Sequence, residues 1–170
     1  MADKDTALAA RTYHYHALSN EALATGFSGL EFMRAQMQGK VPRVPMFDTL
    51  GIKLTAVEPG HITLHASPEP WLINTLGTMH GGFAASLLDT SMGCAVHTIV
   101  PAGSSYATVD LTINYIRPMT LAMDYVIVTG DVIHPGRRMA TAEGRITTPD
   151  GKLLAHGTTT CMLLAPTDGG

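Results

Sequence analysis

Cysteine is scarce in this chain: Cys94 and Cys161 are the only two in 170 residues. They form no CxxC pair, so neither a zinc site nor a disulfide framework is indicated, and a reducing cytosol suits them. Charge is also thin. Asp, Glu, Lys and Arg make up 15% of the sequence and the formal net charge is −3. No sustained basic stripe offers a footprint for nucleic acid. Long hydrophobic runs are missing too, since no window reaches the roughly 18 apolar residues of a membrane helix. The opening "MADKDTALAARTYHYH" lacks the apolar core of a signal peptide. A cytoplasmic protein without a membrane partner is expected. What the chain has in excess is apolar residue content, 45%, more than one small globule readily covers. Its length fits one domain, and the excess favours an oligomer.

From residue 6 to residue 38, Leu23, Phe27, Leu30, Met33 and Met37 recur at loosely helical intervals, while Gly26 and Gly29 interrupt the pattern. One or two helices are expected there, closed by "GKVPRVP" at 39–45. The division is an N-terminal helical extension, 1–42, and a main domain, 43–165. "LGIKLTAVEPGHITLHA" alternates as two strands joined at Pro59-Gly60. After a loop at 68–78, residues 81–98 form the strongest helix pattern, with Ala84, Leu87, Leu88, Ser91 and Ala95 on one face. Four extended runs follow, separated by short polar or Pro/Gly turns that predict antiparallel neighbours. The tail "APTDGG" is expected to fray. The fold class is α+β, with one long helix laid across a curved antiparallel sheet whose outer face or edge is left for a partner. An immunoglobulin-like sandwich does not absorb such a helix.

The polar residues around that helix carry the chemistry. His80-Gly81-Gly82 precedes it, and backbone N–H groups open at a first helical turn stabilise developing negative charge. Close backbone packing explains the glycines equally well. Asp89 sits two turns into an apolar segment, where a carboxylate needs partners or water. It reads as a general base or nucleophile for acyl transfer, or as a structural carboxylate bonded to a Ser, a Thr or a second subunit. Asn74 can donate to a carbonyl but is equally a turn residue, and His80 suits loop-holding better than proton transfer. In "YATVDLTINYI", Ala107, Val109, Leu111, Ile113 and Tyr115 alternate with Thr108, Asp110, Thr112 and Asn114. If the second face meets a partner's helix, Thr108 can orient water or Asp89, while Asp110 can cross-link a neighbouring strand. No metal is expected: His14 and His16 diverge, and His61 and His65 stand about 13 Å apart at strand rise. Arg137 and Arg138 form the one adjacent basic pair, a phosphate contact or a solvated edge.

"NTLGTMHGGFAASLLDTSMGCAV", "YATVDLTINYIRP" and "GRRMATAEGRI" together resemble the PaaI-like acyl-CoA thioesterases of the hotdog-fold superfamily. The resemblance implies a six-stranded antiparallel sheet wrapped around one helix, a homodimer or homotetramer, and composite sites. It implies that Asp89 is the catalytic carboxylate, that the Gly82 N–H polarises the thioester oxygen with Asn74 and His80 assisting, and that Thr108 helps position water from the other subunit. Arg137, Arg138 and Pro118 would lie along bound CoA, which is substrate rather than cofactor. Trp71, Leu72, Phe83 and Met92 are candidates for an acyl tunnel or for plain core. Aryl, phenylacetyl-like and medium-chain acyl groups all remain open, as do a hotdog hydratase or dehydratase and a non-catalytic acyl-CoA or small-ligand binding dimer.

Overall fold

The structure is a computed structural model that describes residues 9–15, 17–18 and 26–165. Residues 9–15 carry no helix, and the one helix described between residues 6 and 38, where one or two were expected, is Gly29–Met37; Leu23, His16 and the expected fraying at 166–170 lie outside the described residues. The elements are α1 (Gly29–Met37), α2 (Pro45–Leu50), β1 (Lys53–Glu58), β2 (His61–Ala66), a 3-10 turn (Pro70–Leu72), α3 (Gly81–His97), β3 (Ser105–Tyr115), β4 (Val126–Pro135), β5 (Met139–Thr147) and β6 (Leu153–Leu164). The α1 helix starts at a capping box in which Ser28 and Glu31 satisfy each other's backbone amides. Pro45 opens α2, and Gly51, at φ 66°, closes it in the left-handed region.

The six strands form one antiparallel sheet in the order β1-β2-β4-β5-β6-β3. Three of the four expected neighbour pairs, β1–β2, β4–β5 and β5–β6, form as read, but β3 does not lie beside β4. It occupies the far edge against β6, because residues 116–125 form a crossing connection rather than a hairpin. That connection is tied down under the start of α3, where the Met79 N–H donates to the Met119 carbonyl at 3.0 Å and the Ile116 N–H to that of Leu154 at 2.8 Å. Met119 is buried there.

The α3 helix fills the curve of the sheet. Leu87, Leu88, Met92, Ala95 and Val96 are fully buried, and they meet Ile62 and Leu64 of β2, Val126 and Val128 of β4 and Ile146 of β5 in a single core cluster. Contact is closest where Gly130 of β4 pairs with Gly144 of β5. A Cβ on Gly130 would stand 2.2 Å from the Ser91 carbonyl oxygen, so only the bare backbone admits the helix at this point. Gly130→Ala is therefore expected to lower unfolding free energy by about 1–3 kcal/mol or more, as overpacking of a filled core does. Chemical denaturation of both proteins measures it.

Candidate active site

The α3 N-terminus is built by a loop that holds itself. Asn74 Oδ1 accepts from the Leu76 and Thr78 amides at 2.8 and 3.3 Å, and its Nδ2 donates to Thr78 Oγ1 and the Met79 carbonyl at 2.9 and 3.4 Å. Both amide hydrogens are thus engaged inside the loop, an Asx-type arrangement that makes Asn74 a positioning residue. His80 caps the helix: its Nδ1 accepts from the Gly82 N–H at 2.9 Å. The expectation that Gly82 supplies the open amide therefore shifts by one residue. Among the described residues the Gly81 N–H has no acceptor, and it sits at the positive end of the helix dipole. Gly81 lines a cavity of about 320 Å³ with Asn74, His80, Tyr115 and Pro118. The Tyr115 hydroxyl donates to the Gly81 carbonyl at 3.1 Å.

Asp89 is half-buried and occupies a different cavity, of about 740 Å³, which it shares with Thr108, Gly93, Cys94, His97 and Tyr106. Thr108 Oγ1 donates to Asp89 Oδ1 at 3.0 Å. The hydroxyl thus meets the carboxylate of its own chain, one of the groups it was expected to orient. The reason is a bulge. The β3–β6 register shifts between Thr108 and Asp110, so the extra residue Val109 turns the strand over. Tyr106 and Thr108 before the bulge, and Leu111 and Ile113 after it, then face the helix together. Asp110 cross-links, its carboxylate accepting from the Thr160 N–H at 3.1 Å and its carbonyl from Thr159 Oγ1 at 2.6 Å.

The rest of this cavity wall comes from α1, α2 and the residues before them: Phe27, Phe32, Met33, Val44, Met46 and Phe47. Trp71, Leu72, Phe83 and Met92, named from the sequence as tunnel candidates, do not line it. Phe83 and Met92 are core, and the Trp71 ring lies under the Arg11 guanidinium at 4.2 Å. Burial, reinforced by the nearby Asp89 charge, pushes the Cys94 thiol up to about 12, so Cys94 is no thiolate nucleophile at neutral pH. His97 lies between Phe32 and Tyr106, with ring centroids 5.6 and 5.5 Å away, and burial lowers its pKa from the ordinary 6.5. The unfolded chain therefore protonates first as pH falls. The His97 contribution to stability is fully present above about pH 6.5 and is lost as pH drops through the lower folded value. Denaturant midpoints measured against pH should decline on acidification, and less steeply in His97→Phe.

Arg137 and Arg138 are exposed in the β4–β5 turn, with the Arg138 carbonyl anchored by the Leu163 N–H at 2.8 Å. Pro118 lies at the other end, beside Gly81. Arg117, which sequence reasoning passed over although it adjoins Pro118, lines that same cavity and donates to the Leu153 carbonyl at 2.7 Å. The histidines set aside as metal ligands have other partners: His61 pairs with Asp131 at 2.6 Å and His65 stacks on Tyr125. No helix among the described residues is long and apolar enough to cross a membrane.

A helix inside a curved six-stranded sheet, with an open amide at its start and a carboxylate two turns on, defines a hotdog protein. The thioesterase superfamily model matches residues 76–155. Mouse acyl-coenzyme A thioesterase 13 is 31% identical over 118 residues, 68% of this chain and 83% of that protein. The structure of a conserved Pseudomonas aeruginosa protein, 30% identical, aligns over 77% of this chain and 98% of its own with a TM-score of 0.68. The Escherichia coli PaaI protein of the phenylacetic acid degradation operon shares the fold, with a TM-score of 0.71 at 21% identity over 82% of this chain and 97% of its own. The chain belongs to the hotdog-fold thioesterase superfamily. Its general activity is that of a thioesterase-class hydrolase.

Proposed function

We propose that the protein hydrolyses acyl-CoA thioesters to a free acid and CoA at two composite sites in a homodimer. One observation carries the reading: β3 touches the amide half of the chemistry at one end and the carboxylate half at the other. Thr108 holds Asp89 and Tyr115 holds Gly81, while Gly81 and Asp89 stand eight residues apart on α3, about 12 Å of helix. That is too far for both to act on one carbonyl within a chain. An antiparallel copy of β3, paired about its middle, brings the Thr108 end of one chain beside the Tyr115 end of the other. The edge is suited to this. Val109 and Tyr115 are each 57% exposed on an unpaired sheet edge, a combination that soluble chains rarely leave uncovered.

In that site the partner's Gly81 N–H stabilises the oxygen of the thioester as charge develops. Asp89, oriented by Thr108, either removes a proton from the attacking water or attacks the carbonyl carbon itself, forming a mixed anhydride that water then hydrolyses to free acid and regenerated carboxylate. CoA leaves as its thiolate and takes up a proton. Asn74 and His80 act by holding the loop and the first turn. Arg137, Arg138 and Pro118 flank the site, the arginines as contacts for CoA phosphates. The acyl group occupies the cavity that runs from Asp89 under α1. Release of free thiol from a panel of short-, medium-chain and aryl acyl-CoAs tests the reading. Hydrolysis of at least one class is expected; CoA-ester binding without turnover across the panel would sink it in favour of a binding protein.

A further inference from the structure

The apolar cavity beyond Asp89 carries a polar patch that hydrolysis does not use. Gln36 of α1 is 6% exposed, and both its Oε1 and Nε2 are shielded from solvent without a hydrogen-bond partner among the described residues. Buried amides are nearly always satisfied in folded proteins. Phe32 stands four residues earlier on the same helical face, its ring against His97, which in turn packs on Tyr106. Neither the His97 ring nitrogens nor the Tyr106 hydroxyl has a hydrogen bond to the described residues. All four side chains line the cavity that holds Asp89.

The Tyr106 ring covers the midpoint between the two ends. Asp89 and His97 are eight residues apart on α3, about 12 Å, and midway between them Gly93 presents no side chain. A Cβ there would stand 3.2 Å from the Tyr106 hydroxyl. An acyl chain leaving its carbonyl at Asp89 meets the Tyr106 hydroxyl where it lies over Gly93, then the His97 and Gln36 region of the same cavity.

We propose that Tyr106, His97 and Gln36 select acyl-CoAs of medium length whose chain carries a hydroxyl remote from the thioester, a conclusion that rests on the acyl-CoA reading above. A hydroxyl both donates and accepts, matching the mixed donors and acceptors of a phenol, an imidazole and a carboxamide. A terminal carboxylate finds no counter-ion, since neither Lys nor Arg lines the cavity. Burial raises the Tyr106 pKa, with Cys94, Cys161 and Asp89 adding to it, and lowers that of His97, so the patch stays neutral at working pH. A methyl-ended chain leaves these groups unpaired when it excludes water, and sites built to bond a hydroxyl discriminate strongly against analogues lacking one.

The test compares kcat/KM for ω-hydroxyoctanoyl-CoA and nonanoyl-CoA, where a methyl replaces the hydroxyl. The wild-type protein is expected to favour the hydroxyacyl ester by about 10²-fold or more. Tyr106→Phe, which deletes only the hydroxyl, should cut that ratio about tenfold, and Gln36→Met should lower it as well. Equal use of the two esters by the wild-type protein overturns the proposal and leaves the thioesterase reading standing. So does a Tyr106→Phe variant that slows both esters alike, the mark of a structural role. Failure to hydrolyse any acyl-CoA removes the thioesterase reading, and this one with it.

Discussion

Asp89→Asn lowers kcat/KM for acyl-CoA hydrolysis by about 10²-fold or more, the scale of a lost general base. The substitution keeps shape and removes charge. Asparagine can still accept the Thr108 hydroxyl bond that Asp89 Oδ1 accepts at 3.0 Å, so the geometry of the cavity is retained. No neighbour can take over the proton or the attack. The Cys94 thiol is pushed up to about 12; the Tyr106 hydroxyl is held protonated by burial. The His97 pKa is lowered, but its ring lies two helical turns away. What survives is polarisation of the thioester at the helix start, which by itself retains part of the rate enhancement. The measurement is free-thiol release at saturating and limiting substrate, alongside a melting curve. A variant that melts like the wild type and turns over normally would remove Asp89 from the chemistry.

The helix and its neighbours were legible because their signals are local. A Gly-Gly start, an apolar run and a Pro101 stop mark α3 within a residue of its observed span Gly81–His97, and Pro59-Gly60 marks the β1–β2 turn, where Gly60 takes φ 75°. Strand order was not local. Residues 116–125 look like a turn, and only the pairing of β3 with β6, with Met119 buried beneath the start of α3, reveals a crossing. The Val109 bulge was equally invisible, because strict alternation is the default reading of "YATVDLTINYI" and a single extra residue reverses every later side chain. The same limit explains the candidate site. The sequence favours His80 as a loop-holder, and its ring caps the helix. That cap engages the Gly82 amide and leaves Gly81 open, a choice set by a rotamer rather than by residue identity. The large cavity draws Phe32, Phe47, Asp89 and Tyr106 from four separate elements, so no stretch of sequence announces it.

Mixing two inactive variants should restore activity, and the recovered fraction reports which chain supplies each half of the site. Asn74→Ala dismantles the four hydrogen bonds that hold the loop before α3. Displacing the Gly81 amide by ~1 Å is enough to cost about 10²-fold. Asp89→Asn disables the other half. If each site takes its amide from one chain and its carboxylate from the other, a heterodimer of the two variants contains one doubly damaged site and one wild-type site. Random exchange makes about half of the dimers mixed, so about a quarter of wild-type activity returns, as expected for a two-fold interface with equivalent sites. An intrachain site predicts no recovery, since every chain then carries a lesion in its own site. Co-refolding the variants in equal amounts and assaying thiol release distinguishes the two outcomes by more than tenfold. Substituting Val109 by a charged residue should abolish the recovery together with the dimer, because that side chain stands at the bulge on the exposed edge through which the halves must meet.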